Sequence, residues 1–188
     1  MRFAICEYGA GNVRSVELAF SRLGADTVVS DLPDELLAAD LAVLPGVGSA
    51  ASAMAGLRER GLDEALRERV RRGRPLLGIC LGLQLALEAS DEDGGVDGLG
   101  LLPGRAVRLS EGRIPRMGWA RVDGLGDFYF AHSYAASTPY ATAWSEGVVA
   151  EARSGSFLGC QFHPEKSGAC GARYLAGVVE EARSLSRA

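Results

Sequence analysis

Arg74-Pro75-Leu76-Leu77-Gly78-Ile79-Cys80-Leu81-Gly82-Leu83-Gln84-Leu85 sets the reading of the whole chain. A short apolar run, Pro75–Ile79, reads as a buried strand. It closes on Gly78-x-Cys80-x-Gly82, and a helix, Leu81–Ala89, begins at once. Strand, sharp turn and helix around a nucleophilic side chain is the thiol counterpart of the Gly-x-Ser-x-Gly elbow. The flanking glycines leave room for a strained turn that lifts the side chain above the sheet edge. At a helix start, unpaired N–H groups and the helix dipole favour a thiolate. The N–H of Leu81 is then one oxyanion donor. A buried cysteine packed between glycines is the plainer alternative.

Outward from this elbow the same rhythm repeats. Arg2–Cys6, Thr27–Ser30 and Leu41–Leu44 read as strands, and Val13–Leu23 and Pro33–Ala39 as helices. Ser49–Arg60 and Leu62–Arg72 are helices split at Gly61, the second with Leu62, Leu66 and Val70 on one face. Alternating strands and helices predict an α/β fold with a mostly parallel central sheet flanked by helices. After a polar, glycine-rich loop at Asp91–Gly100 the rhythm changes. Arg105–Leu109, Gly118–Val122, Phe128–Ala131, Thr142–Ser145, Val148–Arg153 and Phe157–Phe162 are short and β-like, with no helix between them. They predict antiparallel strand additions in the C-terminal half, before a last helix at Ala172–Arg183. With no repeat and no linker, residues 1–188 read as one domain.

Composition narrows the chemistry. A net charge of −4 carries no electrostatic footprint for nucleic acid, and no apolar run reaches membrane-spanning length. Glu7 comes too early for a signal peptide's apolar segment, so a cytoplasmic location is expected. Cys6, Cys80, Cys160 and Cys170 form no Cys-x-x-Cys pair, and neither histidine lies at ligand spacing from one, so neither a disulfide framework nor a zinc site is expected.

Only His132 and His163 can serve as a histidine base. Pro164 pushes His163 into an extended conformation. Residues i and i+2 of extended chain share a side, so Glu165 can stand beside the imidazole and orient it. His132 lies in the aromatic run Phe130-Ala131-His132-Ser133-Tyr134, with no acid within two residues, and reads as structural or pocket-lining.

Gly46-Val47-Gly48, after the third strand, admits two readings. Gly46-x-Gly48-x-x-Ala51 matches a dinucleotide-binding fingerprint, but it follows the third strand where the fingerprint follows the first, and the next strand ends without a ribose-binding acid. The alternative is that Gly46, Val47 and Gly48 turn backbone N–H groups towards Cys80 as the second oxyanion donor.

Taken together, these motifs resemble the triad (class I) glutamine amidotransferase family. Within it the chain is similar to the glutaminase subunits of imidazole glycerol phosphate synthase. The resemblance rests on Glu7-Tyr8-Gly9-Ala10-Gly11-Asn12, Pro45-Gly46-Val47-Gly48, Gly78-Ile79-Cys80-Leu81-Gly82-x-Gln84-Leu85, Pro115-x-Met117-Gly118-Trp119, His132-Ser133-Tyr134 and Gln161-Phe162-His163-Pro164-Glu165-Lys166-Ser167. It implies hydrolysis of L-glutamine by Cys80 with His163 and Glu165, with no cofactor and no metal. It further implies substrate contacts from Gln84, Glu92, His132 and the Ser133-Tyr134 backbone. Ammonia would pass to a separate (β/α)₈ synthase subunit, bound as a heterodimer through a face that includes Asn12, Trp119 and Lys166.

Two positions depart from the family pattern: Ala120 stands where an asparagine is usual, and Arg116 where a histidine is common. Of the 20 basic residues Lys166 is the sole lysine, so a compact ammonium is expected to matter there, and Lys166→Arg to weaken coupling to the partner. Other readings are the related glutaminase of pyridoxal phosphate synthase, a cysteine peptidase-like hydrolase and a non-catalytic nucleotide-binding module.

Overall fold

A computed structural model describes residues 1–9 and 12–185. The first half runs β1 (Arg2–Cys6), α1 (Val13–Ser21), β2 (Asp26–Ser30), α2 (Pro33–Ala38), β3 (Leu41–Leu44), α3 (Ala50–Glu59), α4 (Leu62–Arg71), β4 (Leu76–Ile79) and α5 (Leu81–Ala86). Then follow β5 (Leu87–Ser90), β6 (Val96–Asp97), β7 (Leu102–Arg108), β8 (Arg116–Val122), β9 (Gly126–His132), β10 (Tyr134–Ser137), β11 (Ala141–Ser145), β12 (Val148–Ser154), β13 (Phe157–Cys160) and α6 (Gly168–Leu185).

Seven strands form the main sheet in the order β11-β12-β13-β4-β3-β1-β2. From β13 to β2 every pairing is parallel, and β12 and β11 add antiparallel at one edge. β3, β4 and β13 are buried at every residue, as parallel strands covered on both faces must be. Side chains alternate between two cores. Ala4 and Cys6 face the core built with α2 to α5, whereas Phe3 and Ile5 face that built with α1 and α6. The expected architecture therefore holds, with two refinements: β13 belongs to the parallel part of the sheet, and β7 pairs in parallel with β5 outside it. Among the described residues no helix is long and apolar enough to cross a membrane.

Two details depart from the sequence reading. The helix after the elbow ends at Ala86, and the chain continues as β5, paired in a second sheet of order β10-β7-β5-β6. The cause lies downstream. The N–H groups of Leu99, Leu101, Gly100 and Gly98 donate to the carbonyls of Leu85, Ala86, Leu87 and Glu88, taking acceptors a longer helix would use. On α4 the buried face is Leu62, Ala65, Leu66 and Arg69, while Val70 is half-buried. Arg69 is wholly buried, and its guanidinium donates to the carbonyls of Leu36, Asp40 and Pro75, fastening α2 to the approach of β4.

The glycines of the elbow are set by close approach. A Cβ on Gly82 would lie 2.0 Å from the Leu44 carbonyl oxygen, and one on Gly78 2.8 Å from the Gly82 backbone. Gly82→Ala is expected to destabilise the protein by about 3 kcal/mol, because backbone must move in a packed core. Gly177→Ala, where a Cβ meets nothing within 4 Å in α6, is expected to stabilise by about 0.5–1 kcal/mol. Urea unfolding of the two variants checks the contrast; equal effects would refute the close-packing account.

Candidate active site

The carboxyl ends of adjacent parallel strands converge, as ligand sites in open α/β sheets do. Cys80 follows β4, the Pro45–Gly48 segment follows β3, Tyr8 follows β1 and His163 comes shortly after β13. Cys80 adopts φ 54°, ψ −107°, a conformation that an L-residue with a Cβ holds only under constraint. The constraint includes a 2.7 Å hydrogen bond from its N–H to the Cys160 carbonyl. The side chain opens into a cavity of ≈ 370 Å³ lined also by Val47, Gly48, Leu81, Gln84, Glu92, His132, Ser133, Tyr134, His163 and Lys166.

His163 is 2 % exposed, and its Nδ1 lies 2.8 Å from Glu165 Oε1. The juxtaposition expected from His-Pro-Glu is therefore present, by a different route. Only His163 is extended; Pro164–Lys166 form one 3₁₀ turn, closed by the Lys166 N–H on the His163 carbonyl. The turn brings the carboxylate back beneath the ring, where a continued strand would have carried it along the sheet. Ser167 secures it, donating from Oγ to the His163 carbonyl and accepting from the Tyr129 N–H. Sequence reasoning gave Ser167 no role beyond closing the Gln161–Ser167 motif, because a hydroxyl that anchors backbone leaves no pattern of its own.

The two histidines separate electrostatically. Burial alone disfavours the His163 cation, yet the adjacent Cys80 and the Glu165 carboxylate outweigh it and push the imidazole up to about 9. Burial pulls His132 down to about 4, with the Arg116 and His163 charges acting in the same direction. His132 Nδ1 lies 2.9 Å from the Tyr134 carbonyl, so Nδ1 carries the proton of the neutral ring; Nε2 is buried and without a partner among the described residues. A neutral ring without a carboxylate is a poor base, and His132 stays a pocket wall.

Gly46 packs against the elbow, where a Cβ would stand 2.5 Å from the Leu81 Cβ and 2.7 Å from the Gly82 N. Tyr8, donating from its hydroxyl to the Pro45 carbonyl at 2.6 Å, pins the start of this loop. Gly48 has φ 95° and Val47 is partly exposed at the cavity rim. So placed, Val47 and Gly48 line the same cavity as the Cys80 thiol, and the missing Cβ of Gly46 serves close packing against the elbow.

Gln84 and Glu92 both line the cavity. Gln84 Nε2 donates to the Tyr134 carbonyl at 2.7 Å and to Gln161 Oε1 at 3.1 Å. With His132 Nδ1 also on it, that carbonyl is fully used within the fold. Glu92 Oε2 accepts from the Ala50 N–H at 2.8 Å and Asp93 from that of Ala51, so both acids cap α3 directly after the glycine loop. Burial raises the Glu92 carboxyl above its ordinary value.

Lys166 lines the cavity, and Trp119 is 61 % exposed, edge-on to Tyr129. Asn12 lies near Pro45, Val47 and Glu165; its neighbours Ala10 and Gly11 fall outside the described residues. Arg116 stacks over Phe130 at 4.3 Å and donates to Ser145 Oγ and Glu146, tying β8 to β11, while Ala120 packs against the α1/α6 core.

Known proteins are similar to this chain in sequence and fold. The family model for glutamine amidotransferase class-I matches residues 4–180. The chain is 42 % identical to the imidazole glycerol phosphate synthase subunit HisH of Moorella thermoacetica, over 98 % of this chain and 97 % of that one. It is 43 % identical to the HisH subunit of Methanothermobacter thermautotrophicus, over 96 % and 99 %. Its fold is similar to that of a crystal structure of glutamine amidotransferase, with TM-score 0.79 at 23 % identity over 95 % of this chain and 98 % of that one. Kinship across nearly the whole length, at these identities, places the chain in the class-I glutamine amidotransferase family, among the HisH subunits of imidazole glycerol phosphate synthase.

Proposed function

We propose that the chain hydrolyses the side-chain amide of L-glutamine to L-glutamate and ammonia, as the glutaminase subunit of an imidazole glycerol phosphate synthase in histidine biosynthesis. The observation that carries this reading is the Cys80 thiol on a strained elbow, sharing one cavity with His163, whose Nδ1 is paired with Glu165 behind it.

The thiolate attacks the amide carbon, and the carbonyl oxygen becomes an oxyanion held by the Leu81 N–H and the Gly46-Val47-Gly48 backbone. His163, protonated in the resting pair, gives its proton to the nitrogen as the C–N bond breaks, and ammonia leaves. The imidazole then takes a proton from water, whose oxygen attacks the thioester; the C–S bond breaks and glutamate departs. Glu165 holds the ring throughout and offsets its positive charge. Gln84, Glu92, His132 and the Ser133-Tyr134 backbone shape the substrate pocket around this centre.

Ammonia passes to a (β/α)₈ synthase subunit docked as a heterodimer. The mouth of the cavity supports this reading, since Met117 and Val47 expose apolar surface beside Lys166 there, with the exposed Trp119 two residues along β8 from Met117 and Asn12 at the adjoining loop. Glutamate release from glutamine, measured with and without the synthase subunit, tests the function. Release that needs glutamine and rises when the synthase is added is expected; hydrolysis of peptides in preference to glutamine would overturn it.

A further inference from the structure

Cys80 has a second buried neighbour that the triad leaves without a role. Gln161 directly follows β13, is wholly buried, and places its Nε2 3.5 Å from the Cys80 sulfur. Its Oε1 lies 3.1 Å from Gln84 Nε2. The orientation of both amides follows from one group that can only accept. The Tyr134 carbonyl, 2.7 Å from the end of the Gln84 amide, requires nitrogen there. The second N–H of that nitrogen then points at Gln161, which must answer with oxygen. The nitrogen of Gln161 is thereby turned to the sulfur. Its backbone is fixed as well, the N–H donating to the Ala150 carbonyl at 2.8 Å. Reversing the amide would set two N–H groups against each other and leave buried donors unpaired.

We propose that Gln161 is a further catalytic residue of this site, donating a hydrogen bond from Nε2 to Cys80 Sγ and aimed there by the Gln84–Tyr134 relay. The proposal rests on the amide-hydrolysis reading and adds to it a donor for the sulfur. A hydrogen bond to a charged group contributes more than one between neutral groups. Sulfur carries most charge as the attacking thiolate and again as the C–S bond of the thioester breaks. Gln161 therefore favours both the form that attacks and the form that leaves. A neutral amide does this without setting a second buried cation beside His163.

Gln161→Met keeps the length and removes the donor; Gln161→Glu keeps the shape and turns an acceptor to the sulfur. Iodoacetamide alkylation is followed at the Cys80 peptide by mass spectrometry, because Cys170 is also partly accessible. The other titratable groups around the thiol are His163, Tyr8 and Cys160, with Glu165 behind His163, and all remain in both variants. At pH 6.5 the methionine variant is expected to react roughly tenfold more slowly than the wild type, and the glutamate variant more slowly still, all three converging at pH 10. Glutamine turnover with the synthase subunit is expected to lose about tenfold or more in kcat, with KM within threefold. Unchanged alkylation at pH 6.5 in both variants overturns the proposal. So does equal slowing at every pH, which marks a mere change of packing. A wild-type protein that releases no glutamate refutes the glutaminase reading, and the alkylation comparison still judges the donor.

Discussion

Replacing Cys80 by alanine is expected to lower glutamine-dependent turnover by about 10⁵-fold, roughly 7 kcal/mol of transition-state stabilisation. The size of the effect follows from what remains. Of the other cysteines, Cys6 and Cys160 are wholly buried and Cys170 lies in α6, so none replaces the lost sulfur in the cavity. Water in the vacated space lacks the covalent route that splits one difficult displacement into two. The fold is expected to survive, since a small side chain replaces a small one. Strain separates two variants that are equally inactive. At φ 54° and ψ −107° alanine keeps the conformational cost that cysteine had, whereas glycine relieves it. Cys80→Gly is therefore expected to unfold at higher urea than Cys80→Ala by about 1 kcal/mol. Ammonium salts supplied to the complex with the synthase subunit should restore product formation in both. More than one per cent residual glutaminase activity in Cys80→Ala would refute the nucleophile assignment.

Where the backbone needs something few residues supply, the sequence shows it. Gly78-x-Cys80-x-Gly82 is legible because helix, strand and elbow approach within the space of a missing Cβ, and only glycine leaves that space. Pro164 is legible for the same reason: it fixes an extended His163 and opens the turn that returns Glu165 to the ring. The parallel core is legible because its strands are apolar runs buried on both faces, such as Leu41–Leu44.

What escaped has physical causes too. Leu81, Leu83, Leu85 and Leu87 are all buried, so no periodicity marks where α5 gives way to β5; the stop is made by the backbone of Gly98–Leu101, a long way along the chain. Arg69 is buried because four backbone carbonyls surround its guanidinium, an environment no local pattern announces. Tyr134–Ser137 becomes β10 only by pairing with β7. The candidate site divides in the same way. Cys80, His163 and Glu165 carry local signatures, while Gln161 and Ser167 act through neighbours 81 and 38 positions distant in sequence. Glu92 lies at the cavity as expected, but its capping of α3 belongs to a tertiary contact.

Glu165→Gln is expected to cost about 10³-fold in kcat and to move the alkaline limb of the pH–rate profile to lower pH. In the wild type both partners are nearly excluded from water, with the His163 and Glu165 side chains 3 % and 1 % exposed. Burial opposes the imidazolium, and the Cys80 and Glu165 interactions overcome it, so His163 keeps its proton to about pH 9. Activity that needs this proton for the departing amine then falls as pH rises through about 9. Without the carboxylate charge, burial gains weight and the proton is lost at lower pH. An amide can also present its NH₂ to Nδ1, which forces the proton to Nε2 and turns a donor instead of a lone pair towards the reacting atoms. Stability carries the same sign. A folded-state value raised above the ordinary 6.5 gives stabilisation that is complete below pH 6.5 and lost as pH rises through about 9. The urea-unfolding gap between wild type and variant should therefore be wider at pH 6 than at pH 10. An unmoved alkaline limb together with a loss in kcat below fivefold would remove Glu165 from the triad and leave His163 oriented by its backbone turn alone.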